Sequence, residues 1–589
     1  MEQSVKDRNR TNIDNLFGKA LMAVGVAVAF AVCGYAKANG GKAAAPTPDP
    51  ALDVPFEKTF DPKKEGWKLV FEDEFEGTEV DSSKWYRPLF ASKEPWLIKP
   101  DGEGHLVFHM KKDGTGKLPN GYLYSVPEYA CGYFEARVKF TTKPGWWAAS
   151  WIYGGSNQNP FLDGMEIDTV EDFYTRLKDG HPLKNRMAHT IHLHTGNHTS
   201  SRQRHTPVEG PVDDWHTIAC KWDPLSLAFY LDGRLTGSFT AFNAGTCIRP
   251  LHAVLSTERR RQDMDTWMGG NAIPGAEEGT YVVDWVRIYR NEAADAEAPK
   301  VVWAPGTDVS RVFAATGSVE QLNVVAKSRF ANDPIDHVYL FDNGYMLDHA
   351  AGRQGKFKVP LTAEYFDSTT YGVFLCGHSK KKPVFDAYPH VFVAFARTKS
   401  GRVGYSAPIY RIPAGEKPSS TPYGDGPAAI PGSINAWNFD CGGQGCAYYR
   451  TPSKRSSKGA PKKNAGPRPD ELIACSKWPI GKTIVTSVDG TSAGDWVNYT
   501  VDVAKSGTYL AMFRYGSATR SANEAVLLVN GRLAASFAIP AGTVTKSMPN
   551  LTSESEVALG QGRHVVTVLF RSNLTFAGID FKLKGDKTR

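Results

Sequence analysis

Gly164-Met165-Glu166-Ile167-Asp168-Thr169-Val170-Glu171-Asp172 places Glu166, Asp168 and Glu171 within six residues, among β-formers. In an extended strand, side chains two apart share a face, so Glu166 and Asp168 point the same way and Glu171 points the other. One extra residue at Thr169 or Val170, taken up as a β-bulge, returns Glu171 to the face of Glu166. With four effective steps of ~3.3 Å the two backbones then stand ~13 Å apart. Long side chains leaning together narrow that toward the ~5–5.5 Å at which one carboxylate attacks an anomeric carbon and the other protonates the departing oxygen. Asp168, lying between them, can bind one and raise the pKa of the other. A solvated strand face, or carboxylates gathered around calcium, are the plainer readings of the same residues.

Just upstream, Gly145-Trp146-Trp147-Ala148-Ala149-Ser150-Trp151 reads as a neighbouring strand. Trp147 and Trp151 are four apart and share a face, where indoles can stack on sugar rings; burial in a core is the alternative for each. Period-two alternation recurs in Tyr133–Phe140 and Leu227–Leu231. Aromatic residues make up 12% of the 589 residues, glycine and proline are frequent, and long helical runs are scarce, so several all-β cores are expected. The net charge of +7 is scattered, apart from Arg259-Arg260-Arg261 and the stretch 454–468, which gives no nucleic-acid footprint. It suits an anionic polysaccharide and ordinary solubility equally.

Residues 1–38 carry a basic head, an apolar run from Ala20 to Ala36 and Ala36-Lys37-Ala38, the pattern of an export signal, with an uncleaved anchor as its rival. The expected product is secreted or cell-surface, with no membrane contact beyond that signal. A Pro-rich linker at 39–55 leads into a strand-rich block at 56–292. After the break at Glu292–Pro299, a block at 300–414 contains the hairpin signal Asp342-Asn343-Gly344 and has the length and short strands of an immunoglobulin-like sandwich, read as a spacer. Residues 415–433 read as a second linker and 434–586 as a last β block. Seven cysteines follow the signal, and Cys441, Cys446 and Cys475 are the expected home of a disulfide.

The first block resembles glycoside hydrolase family 16, in the bulged Glu-x-Asp-x-x-Glu form. Phe71-Glu72-Asp73-Glu74-Phe75 resembles its opening strand, Gly132-Tyr133-Phe134-Glu135-Ala136-Arg137 an inner strand, and Val283-Asp284-Trp285-Val286-Arg287-Ile288-Tyr289 its closing strand. The resemblance implies a β-jelly-roll with a concave cleft, Glu166 as nucleophile, Asp168 as its assistant and Glu171 as acid/base. It also implies substrate contacts from Trp146, Trp147, Trp151 and His192. Ala148 and Ser150 replace the family's Pro and Phe between the tryptophans. Asp284 matches the ligand of a structural calcium in some members; the chemistry itself needs no cofactor.

The last block resembles carbohydrate-binding module family 6, a second jelly-roll, through Ile434-Asn435-Ala436, Gly494–Val501 and Gly578-Ile579-Asp580-Phe581. Trp437 and Ala577–Gly578 depart from its calcium and sugar positions, which leaves Tyr448, Tyr449 and Trp496 as a stacking platform or the module as one that has lost binding. The implied function is retaining endo-hydrolysis of a β-linked polysaccharide, a β-1,3-glucan or a galactan of the agar, porphyran or carrageenan type, by a monomer. A non-catalytic polysaccharide-binding protein and a transglycosylase are the competing readings.

Overall fold

The computed structural model describes residues 56–585 apart from 89, 112–113, 115–118, 141–145, 155–158, 172–176, 179–180, 183–185, 196–197, 208–213, 260–277, 316–317, 362–388, 415–419, 452–467, 469–470, 481–482, 517–522 and 541–550. The export signal, the first linker, Arg260, Arg261 and Cys376 thus lie outside the described residues. No helix among those described is long and apolar enough to cross a membrane.

Alternating apolar side chains fold the first block into two sheets of antiparallel neighbours, as in a jelly-roll. The outer sheet runs Arg234–Thr240, Ser226–Leu231, His216–Asp223, Gly132–Lys139, Gly279–Arg290, Leu106–Met110 and Ile98–Pro100, with Lys68–Asp73 also paired to Gly279–Arg290. The second runs His198–Pro207, Arg186–Thr195, Glu166–Glu171, Trp146–Tyr153, Leu251–Arg259, Gly121–Tyr129 and Trp85–Tyr86. Between them, one face of each strand is removed from water: Phe108, Val138 and Ile288 from the outer sheet meet Ile152, Ile167, Val170, Ile191 and Leu255 from the second. The carboxylate strand is central in its sheet, so backbone pairing on both sides fixes it.

Two further β bodies follow. In the first, a sheet of Lys300–Trp303, Ser318–Lys327 and Gln354–Leu361 accompanies one built on Phe313–Ala315, Ile409–Ala414, His390–Thr398, Ile335–Asp342 and Tyr345–Ala351. The hairpin falls where the sequence puts it, with Asn343 at φ 48° and Gly344 at φ 87° turning Ile335–Asp342 into Tyr345–Ala351. The last body has two six-stranded sheets.

Three expectations change. The second linker is shorter than its composition suggests: Ala428–Ile430 pairs with Trp496–Val503 and Gly432–Asn435 with Phe576–Leu583. Cys441, Cys446 and Cys475 are free thiols, and the last is buried. The middle body is more than a spacer. Phe161 and Leu162 of the first body, Tyr339, Phe341, Val393 and Phe395 of the second, and Trp496, Val526 and Leu569 of the third share one apolar cluster. The hairpin turn plugs into the first body, where Asn343 Oδ1 accepts from Asn159 Nδ2 at 2.9 Å and Thr246 N donates to Gly344 O at 2.8 Å. Arg571, paired with Glu524, donates to Phe161 O at 3.2 Å.

Candidate active site

The carboxylate strand is bulged. Against Trp146–Tyr153, Glu171 faces Ala149, Val170 faces Ser150 and Asp168 faces Trp151, which leaves Thr169 with no partner. On the other side Glu171 faces Ala188 and Asp168 faces Thr190, so two strand residues, Thr169 and Val170, stand against the single His189. Thr169 and Val170 are both buried, at 3% and 0% exposure, while Asp168 and Glu171 sit among the polar groups on the face opposite the apolar core. The extra residue is what puts the two glutamates on one face.

Glu166 keeps 25% of its side-chain surface open, whereas Asp168 keeps 3%. His192, opposite Glu166 in the register, brings Nε2 to 3.3 Å from Asp168 Oδ2 and 3.9 Å from Glu166 Oε1. The Oδ2 contact lacks hydrogen-bonding alignment, so that buried oxygen has no well-formed hydrogen bond. Burial pushes the Asp168 carboxyl well above the usual carboxylate range, and the charges of Glu171 and Glu166 and its hydrogen bond to Glu171 push it further. A proton held among three carboxyls beside an imidazole is suited to acid/base work. The donor atoms of Glu166, Asp168 and His192 lie within 4.8 Å of one another, close enough to hold a divalent ion as well.

One flank of this centre is an aromatic wall that reading the tryptophans alone did not reveal. Tyr122, Tyr124 and Val254 cluster with Tyr86, Trp151 and Tyr153. Trp151 stands 4.9 Å from Tyr153, ring to ring, and its Nε1 donates to Ser256 Oγ at 3.1 Å. Tyr153 is the register partner of Glu166, so the wall reaches the carboxylate centre. At its far end Phe90, 65% exposed, meets Tyr122 edge to face at 5.1 Å. His252, held by Ser125 O at 2.8 Å and Glu128 at 3.0 Å, lies beneath Tyr86 and Tyr124. The alternation of Tyr122 and Tyr124 was the available signal. Trp146 and Trp147 belong to the adjacent strand; their side chains, like that of Arg259, are outside the described residues.

Elsewhere the structure redirects residues. Asp284 is ion-paired with Arg137. Tyr448, Tyr449 and Trp496 are 2%, 1% and 0% exposed, which removes them as a sugar platform. Tyr448 Oη accepts from Leu472 N at 2.9 Å, and Trp496 packs edge-on to Phe313 of the middle body at 5.9 Å. A Cβ on Gly578 would lie 2.1 Å from Ile434 O, so no side chain fits there either.

A paired-carboxylate centre on one face of a jelly-roll sheet, walled by aromatic rings, is the machinery of a glycoside hydrolase, and the chain is one. Residues 91–287 match the family model of Glycosyl hydrolases family 16. The chain is 26% identical over 253 residues to Beta-porphyranase E of Zobellia galactanivorans, spanning 38% of this chain and 89% of that protein. It is 24% identical over 294 residues to Keratan-sulfate endo-1,4-beta-galactosidase of Sphingobacterium multivorum, spanning 43% of this chain and 64% of that one. Among solved structures, a non-specific endo-beta-1,3(4)-glucanase aligns at 22% identity over 38% of this chain and 91% of its own, with a TM-score of 0.31.

Proposed function

We propose that the chain is an exported, retaining endo-hydrolase of a β-linked galactan, acting as a monomer by double displacement. Glu166, the most open carboxylate, attacks the anomeric carbon; Glu171 protonates the departing oxygen and then activates water; Asp168 shuttles and holds the proton between them. His192 steadies the charge on Asp168 and Glu166, and Trp151, Tyr153 and Phe90 stack sugar rings along the cleft. The observation that carries this reading is the bulge at Thr169, without which Glu171 would face the core. Galactan is preferred to β-1,3-glucan because one relative is named a porphyranase and another an endo-1,4-beta-galactosidase.

The test is to incubate the full chain and Glu166→Gln with agarose, porphyran, carrageenan, laminarin and mixed-linkage glucan, following products and their anomeric configuration by NMR. Cleavage of a galactan with retention is expected, reduced at least about 10³-fold in the variant. Equal activity of the two proteins, or inversion, would overturn the double-displacement assignment. Cleavage confined to the glucans would overturn the substrate.

A further inference from the structure

A bulge frees a backbone carbonyl from the ladder, and a freed carbonyl deep in a core needs a donor. Here that carbonyl is Thr169 O, and its donor is a side chain. His189, fully buried and lying opposite the bulge between Ala188 and Thr190, brings Nδ1 to 2.6 Å from Thr169 O. A carbonyl only accepts, so Nδ1 carries the hydrogen. The ring then spans to the outer sheet, stacked on Phe229 at 4.4 Å and 15°, with Nε2 2.8 Å from Thr236 Oγ1. Thr236 is itself fixed, its Oγ1 lying 3.0 Å from Phe229 O, while its carbonyl accepts from Thr206 Oγ1 at 2.7 Å.

We infer that His189 is the positioning residue that holds the Thr169 bulge and thereby sets Glu171 against Glu166. It touches no substrate. It is a strut from the outer sheet to the backbone carbonyl of Thr169, a residue that the irregular register leaves without a partner on either side. Without it, the strand can relax toward regular pairing, which turns Glu171 toward the core and leaves Glu166 in place, because the register from Glu166 to Asp168 is regular on both sides. Loss of the strut should therefore affect the proton-donating half of the reaction more than the attacking half.

This inference rests on Glu171 being the acid/base, and leaving-group chemistry separates the two claims. A poor leaving group, the sugar alkoxide of a polysaccharide, needs a proton; 2,4-dinitrophenolate does not. The measurement is kcat/KM of the full chain on the polysaccharide it cleaves best and on the 2,4-dinitrophenyl β-glycoside of the matching disaccharide. His189→Phe keeps the ring and its stacking but removes the donor; His189→Asn keeps an N–H near the Nδ1 position; His189→Gln moves it away.

For His189→Phe and His189→Gln the expected loss is about 10²-fold or more on polysaccharide and under about tenfold on the dinitrophenyl glycoside, with His189→Asn retaining most activity on both. Equal losses on the two substrates, or Asn and Gln variants that behave alike, would overturn the inference, and the Asn and Gln pair decides it if the Phe variant does not fold. Glu171→Ala serves as the control. If it too loses both activities equally, the acid/base assignment is what fails; if it discriminates and the His189 variants do not, the strut is what fails.

Discussion

Glu135 sits in the outer sheet, and replacing it with glutamine should stabilise the protein at neutral and alkaline pH without touching the active site. Its carboxyl lines a cavity of about 530 Å³ with Phe60, Trp285, Arg287 and Tyr289. Burial raises its pKa from the ordinary 4.5 to about 7, against the opposing pull of Arg287 and of the hydrogen bond from Tyr133. At 1.36 kcal/mol per pKa unit, ionising it in the fold costs about 3 kcal/mol as an upper figure. The sign follows from proton binding. Between pH 4.5 and 7 the folded protein holds a proton that the unfolded chain has released, so stability falls as pH rises through that window.

Glutamine does not titrate and leaves no charge stranded, because Arg287 keeps its two bonds to Glu74, at 2.9 and 3.1 Å. Unfolding free energies of the two proteins, taken from urea titrations at half-unit pH steps, should coincide in shape below pH 4.5. They should diverge to about 2 kcal/mol near pH 6 and level off at about 3 kcal/mol above pH 7. Parallel curves from pH 5 to 9 would mean that Glu135 ionises as it does in water and that its burial carries no electrostatic cost.

Other outcomes follow from the same reasoning. Asp168→Asn removes a buried carboxyl whose raised pKa makes the native protein lose stability as pH rises; thermal unfolding should show the variant melting higher than the native protein at pH 8, with kcat reduced at least tenfold. Trp496→Ala should cost about 3–5 kcal/mol in denaturant titrations and leave retention on agarose beads unchanged, since the ring is core and not platform. Gly344→Ala puts a Cβ 2.7 Å from Thr246 O and 2.8 Å from Pro160 Cβ at a φ of +87°, and should destabilise by about 1–3 kcal/mol in the same titration.

The bulge was legible because period-two geometry forces it: three carboxylates at that spacing cannot share a face on a straight strand. The strut was not. His189 belongs to the neighbouring strand, and a lone histidine with core parity carries no mark of what it bonds; only folding brings its Nδ1 to Thr169 O. Trp496 misled for a related reason. An aromatic ring on an alternating strand is equally suited to a sugar and to another protein body, and the choice depends on a middle body more than 80 residues away along the chain. The second linker misled because glycine and proline mark chain irregularity, which short edge strands such as Ala428–Ile430 tolerate.

The three-body packing bears on catalysis through one loop. Asn159 gathers Leu162 N, Asp163 N and Gly164 N onto its carbonyl, each at 3.0 Å, and Gly164 passes Gly154 so closely that a Cβ on either would come within 2.8 Å of the other's backbone. Two residues later the chain reaches Glu166. The same loop is gripped from outside by the Asn343–Gly344 turn and by Arg571. Entry to the carboxylate strand is therefore set jointly by the first body's glycines and by contacts from the other two, while its far end is set by the bulge. Glu166 and Glu171 are thus positioned by different parts of the molecule: the first by packing between bodies, the second by a strut within one. A change in the accessory bodies should consequently act on Glu166 before it acts on Glu171, the reverse of what a change at His189 does.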